Sequence, residues 1–137
     1  MTLRSLSGVL VTALVLAGAS PALAATKHGI TPLSPKSGAS VPSGQSPTFK
    51  MRVKGSGQVW VHVCKSNKKN ADGVICSEGS IGRVKKKGSA FQYKPKFFDF
   101  DEFWLNSPGT YYWQAYRIAC VGSRCRQPGP VVAFKVG

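Results

Sequence analysis

Beyond its first two dozen residues the chain alternates apolar and polar positions in short runs that Gly and Pro interrupt. In Pro47–Val53, Phe49, Met51 and Val53 fall on one side, with Lys50 and Arg52 on the other. Gln58–Cys64 repeats the pattern, setting Val59, Val61 and Val63 opposite Trp60, His62 and Cys64. A period of two marks a half-buried strand, and the Gly55-Ser56-Gly57 link predicts a tight reversal between these two. Further strands are expected over Ser80–Val84, within Ala90–Phe100, over Thr110–Cys120 and over Pro130–Val136, where Val132, Phe134 and Val136 share a face. No helical periodicity follows the first segment. Short strands with turns every 8–12 residues predict an all-β chain folded as a single antiparallel β-sandwich of about seven strands.

The start of the chain reads differently. Arg4 precedes an apolar run from Val9 to Ala19, then comes the helix breaker Pro21 and the small-residue triplet Ala22-Leu23-Ala24. This is the pattern of a cleavable signal peptide over residues 1–24, and the run is too short to span a bilayer. Export is therefore expected, with no transmembrane segment in what remains. Residues 25–45 are rich in Pro, Gly and Ser and predict an extended start, with an edge strand near Ile30–Leu33 where Pro32 fits.

Charge and thiols add to this picture. The net charge is +14, from 19 Lys and Arg against 5 Asp and Glu. Such an excess favours anionic partners: wall polymers, acidic polysaccharide, nucleic acid or an anionic membrane face. It also serves solubility alone. Specific nucleic-acid recognition is not expected, because nothing in the chain reads base sequence. The four cysteines, Cys64, Cys76, Cys120 and Cys125, all follow the leader, and an even count in an exported chain reads as two disulfides. The alternative is a tetrahedral zinc site, which the absence of a C-x₂-C spacing disfavours. No metal or other cofactor is expected.

Leu105-Asn106-Ser107-Pro108-Gly109-Thr110-Tyr111-Tyr112-Trp113-Gln114-Ala115 resembles the segment joining strands E and F of fibronectin type III domains, especially those of exported bacterial proteins. Leu33-Ser34-Pro35, Pro47-Thr48-Phe49 and the closing Gly129-Pro130-Val131-Val132-Ala133-Phe134 are similar to other parts of that family, so the resemblance runs over most of residues 30–137. It implies that Tyr111 makes a corner hydrogen bond to the preceding turn, with Trp113 and Ala115 facing inward. It also implies that Gln58–Cys64 and Thr110–Cys120 are antiparallel neighbours. Cys64 and Cys120 then lie at opposite ends of one sheet, about 15–20 Å apart, beyond disulfide reach. The pairs Cys64–Cys76 and Cys120–Cys125 are favoured.

Four groups are candidates for chemistry. His28 and His62 lack a nucleophile motif such as Gly-x-Ser-x-Gly, so neither points to catalysis. Asp99, Asp101 and Glu102 are the one gathering of carboxylates, which reads best as a solvated loop balancing Lys94 and Lys96. Neither is an enzyme signature. Arg83 with Lys85, Lys86 and Lys87 forms a basic patch, expected at a turn, that either grips anions or guards a sheet edge. Trp60, His62, Tyr112, Gln114 and Tyr116 are expected to form an exposed aromatic face, suited to sugar stacking or a protein partner. The leading function is an exported, non-catalytic binding or scaffold module for anionic or carbohydrate-rich cell-surface material. The alternative is a small exported protease or hydrolase inhibitor presenting a disulfide-tied loop, Lys65–Gly79 or Val121–Arg124.

Overall fold

The computed structural model describes residues 25–76, 80–95, 105 and 107–137. The leader and the acidic group Asp99, Asp101 and Glu102 lie outside them, as do Phe97, Phe98 and Phe100. No helix among the described residues is long and apolar enough to cross a membrane.

Among the described residues nine strands form in chain order: β1 (Ile30–Ser34), β2 (Ser40–Val41), β3 (Phe49–Val53), β4 (Gln58–Cys64), β5 (Ser80–Arg83), β6 (Lys85–Lys87), β7 (Ala90–Tyr93), β8 (Gly109–Val121) and β9 (Arg124–Val136). One sheet has the order β1-β3-β7-β6 and the other β2-β9-β8-β4-β5. All ladders are antiparallel except β2 with β9. With β1, β3, β4, β6, β7, β8 and β9 read as A, B, C, D, E, F and G, this is the A-B-E-D against C-F-G arrangement of an immunoglobulin-like sandwich, the architecture that fibronectin type III domains share, with β5 added beside C. The count exceeds seven because of the two-residue β2 and because β5 and β6 part around Val84, where the chain leaves one sheet for the other.

The alternation read from sequence sets the core. Phe49 and Met51 from one sheet meet Val59, Val61, Val63, Tyr111, Trp113, Ala115 and Phe134 from the other, all fully or almost fully buried. Phe49 packs against Trp113 at 5.4 Å between ring centres and against Phe134 at 6.1 Å. Burying each such side chain contributes about 1.5–3 kcal/mol. The Trp113 indole N–H, which would otherwise lose its water partner, donates to the Pro35 carbonyl at 3.0 Å. The corner bond is present as well: the Tyr111 hydroxyl donates to Ser107 O at 2.9 Å. At the rim, Gly82 of β5 lies against the Tyr93 ring of the facing sheet, so close that a Cβ would stand 2.8 Å from ring atoms. Glycine here lets the two sheets meet where the chain crosses between them.

Lys85–Lys87 is a strand and not the expected turn. The reversal comes one residue later, at Gly88, whose φ is +62°. All three lysines are exposed, so the rim strand has no buried face to show in the sequence. Val84 anchors it: the side chain is buried, and its N–H donates to Val59 O at 2.7 Å.

Candidate functional site

The outer side of the β4–β8 pair is not the open aromatic face expected from alternation. His62, Gln114 and Tyr116 are on that side, but their exposures are 3%, 1% and 5%. Trp60 and Tyr112 are half-buried. The cause is the segment that follows β4, which lies down over the sheet as a strap from Lys65 to Cys76. Its end is tied by the Cys64–Cys76 disulfide, and Val74 and Ile75 are fully buried beneath it. The second disulfide, Cys120–Cys125, closes the tip of the β8–β9 hairpin.

Gln114 holds the strap through both ends of its amide. Its Oε1 accepts from Ile75 N–H at 2.9 Å, and its Nε2 donates to Gly73 O at 3.2 Å and Gly129 O at 2.9 Å. The His62 Nδ1–H donates to Ile75 O at 2.8 Å, which leaves Nε2 to accept from the Tyr116 hydroxyl at 3.3 Å. Arg126 stacks over Tyr116 and pairs with Asp72 on the strap at 3.7 Å. The pair is exposed, so its contribution is small. His62 and Gln114 thus bond the strap directly and Tyr116 bonds His62, whereas the Trp60 indole N–H on the same side is buried without a partner among the described residues.

Burial depresses the His62 pKa below the ordinary imidazole range; the nearby Arg126 acts in the same direction, against the raising effect of the backbone hydrogen bonds at Ile75 and Cys76. The unfolded chain therefore binds a proton more readily than the folded one. Stability from neutral His62 is complete above about pH 6.5 and falls as pH drops below it, levelling off under the folded pKa. Urea unfolding midpoints should be lower at pH 5 than at pH 7.5, and His62→Gln should flatten that difference. An equal dependence in the variant would remove His62 as its source.

The basic patch fares differently. Arg83, Lys85 and Lys86 line one cleft at the rim where β5 passes into β6, together with Gly57, Gln58, Val59, Val84 and Phe91. Its volume is about 400 Å³, within the range of small-ligand sites. Val59 and Val84 are buried, Phe91 is half-buried, and the three cations are exposed. Lys86 pairs with Phe91 across the β6–β7 ladder and so shares its side of the sheet. Lys87, the fourth patch residue, does not line the cleft. Lys85, paired with Gln92, turns its side chain to the opposite face of β6 and lines the cleft from its rim, so the arrangement offers an anion Arg83 and Lys86 and offers a ring or carbon chain an apolar floor. Phe91, Gln58 and the Gly55–Gly57 turn were not expected at a site. The turn and the crossing are far apart in sequence, and only the β4–β5 ladder brings them together.

The sequence matches no protein-family model and no curated protein. Among solved structures, the fibronectin(III)-like modules of CbhA from Clostridium thermocellum align with a TM-score of 0.47 and 17% identity, over 78% of this chain and 93% of that one.

Proposed function

We propose that the chain is an exported, non-catalytic binding module that takes anionic units of cell-surface polysaccharide into the Arg83–Lys85–Lys86 cleft. The observation that carries this reading is the joining of Arg83 and Lys86 to an apolar floor containing Phe91 in one small-ligand-sized cleft. Acidic sugars match both parts: their carboxylate or phosphate meets Arg and Lys, and their C–H faces pack on an aromatic ring. The leader pattern and two disulfides support export. The net charge of +14 supports attraction to acidic surfaces from a distance.

Calorimetric titration with digalacturonate tests it. Arg83→Gln/Lys86→Gln removes two charge-assisted contacts and should weaken binding by about tenfold to a hundredfold. Phe91→Leu keeps an apolar residue against the core but removes the flat ring, with a smaller loss expected. Affinity unchanged in the double variant would exclude the cleft.

A further inference from the structure

The outer face of the β1-β3-β7-β6 sheet carries a second feature, distinct from the cleft. Paired residues on neighbouring strands share a face. Lys50 of β3 pairs with Ser34 of β1 on one side and with Gln92 of β7 on the other, and Gln92 pairs onward with Lys85 of β6. Ser34, Lys50, Gln92 and Lys85 therefore form one row across the sheet. Phe49 and Met51 are buried on the opposite face, so this row looks outward. The next row holds Thr31 paired with Arg52, and Lys87 paired with Ala90; the β3–β7 register sets Arg52 level with Ala90.

Read by strand, the face has hydroxyls on β1, cations on β3, the neutral Ala90 and Gln92 on β7 and cations again on β6. Lys50, Arg52, Lys85 and Lys87 are all exposed, while Ala90 and Gln92 are half-buried between them. The result is a trough along β7 with two cations on each wall. Cations on one wall are about 7 Å apart, and the walls stand about 10 Å apart at the backbone. Among the described residues Asp72 is the one carboxylate side chain, and it is on the strap of the other sheet.

We infer that this trough holds a linear anionic polysaccharide lying along β7, with its charges met from both sides and its hydroxyls met by Thr31, Ser34 and Gln92. The inference rests on the reading of the chain as a polysaccharide-binding module and adds the extended polymer to the single unit in the cleft; β6 borders both. The face argues for this occupant over others. Among the described residues it bears no exposed apolar side chain to enter a bilayer and no aromatic ring on which a base would stack.

The test uses polygalacturonate as the polymer, digalacturonate as the short probe and dextran as the neutral control. Lys50→Gln/Arg52→Gln/Lys87→Gln changes exposed side chains only and leaves Lys85, shared with the cleft, in place. Its unfolding midpoint should match that of the parent. Polymer affinity should fall at least tenfold, and the slope of log K against log salt should shrink by about 2, at ~0.7 per cation. Digalacturonate binding should be unchanged. Parental polymer affinity and slope in this variant would overturn the trough. Loss of polymer binding only in Arg83→Gln/Lys86→Gln would overturn it as well, while leaving the cleft intact. Polymer binding that needs the trough, with no digalacturonate binding in the parent, would support the trough and remove the cleft. Tighter binding of single-stranded DNA, anionic vesicles or dextran than of polygalacturonate would overturn the choice of occupant.

Discussion

Gln114→Leu is expected to destabilise the protein by about 3–4 kcal/mol, read as a lower urea midpoint with a nearly unchanged slope. The substitution keeps the side chain's size but removes every polar contact. Ile75 N–H loses its acceptor, and Gly73 O and Gly129 O lose their donor. Ile75 and Gln114 are at most 1% exposed, so water does not readily replace those partners. An unmet buried group costs about 1–3 kcal/mol, whereas a satisfied pair adds little. Gln114→Glu should be worse at neutral pH, since a carboxylate faces two carbonyls and has no proton to give them. A midpoint for Gln114→Leu within experimental error of the parent would show that the strap is not held there.

The paired variant Cys64→Ala/Cys76→Ala should cost about 3 kcal/mol in the loop-entropy account, and Cys120→Ala/Cys125→Ala about 2 kcal/mol because its loop is shorter. The larger difference should be local. The first bridge ends the strap, so its loss frees Val74 and Ile75 to lift and exposes His62 and Gln114 beneath them. Amide exchange at Ile75 should accelerate far more than at Val61 in the core. The second bridge closes a hairpin tip already held by the β8–β9 ladder, with residues 121–126 exposed. Equal acceleration across the sheet in both variants would contradict this division.

The sandwich was legible because its signals are short-ranged. Period-two alternation placed Phe49, Met51, Val59, Val61, Val63 and Phe134 on inward faces, and the resemblance to fibronectin type III segments set Trp113 beside them. The same resemblance implied the Tyr111 corner bond. What alternation cannot report is whether an outward face stays open. His62, Gln114 and Tyr116 do point away from the core, yet the strap covers them. One signal was available: Val74 and Ile75 are apolar neighbours just before Cys76 in an otherwise polar segment, and a bridge to Cys64 brings them down onto the sheet. The three lysines of β6 hid their strand for the opposite reason, since a rim strand polar on both sides shows no period. The cleft needs the β4–β5 ladder, a pairing that no local pattern encodes.

We propose that ligands meet this protein at the basic β5–β6 rim and not at the β4–β8 outer side. Amide chemical shifts followed during titration with digalacturonate test it most directly. The account predicts the largest changes at Gly57, Gln58, Arg83 to Lys86 and Phe91. Changes centred instead on Trp60, Tyr112 and the strap residues Gly73 to Cys76, or no changes at saturating ligand, would contradict it.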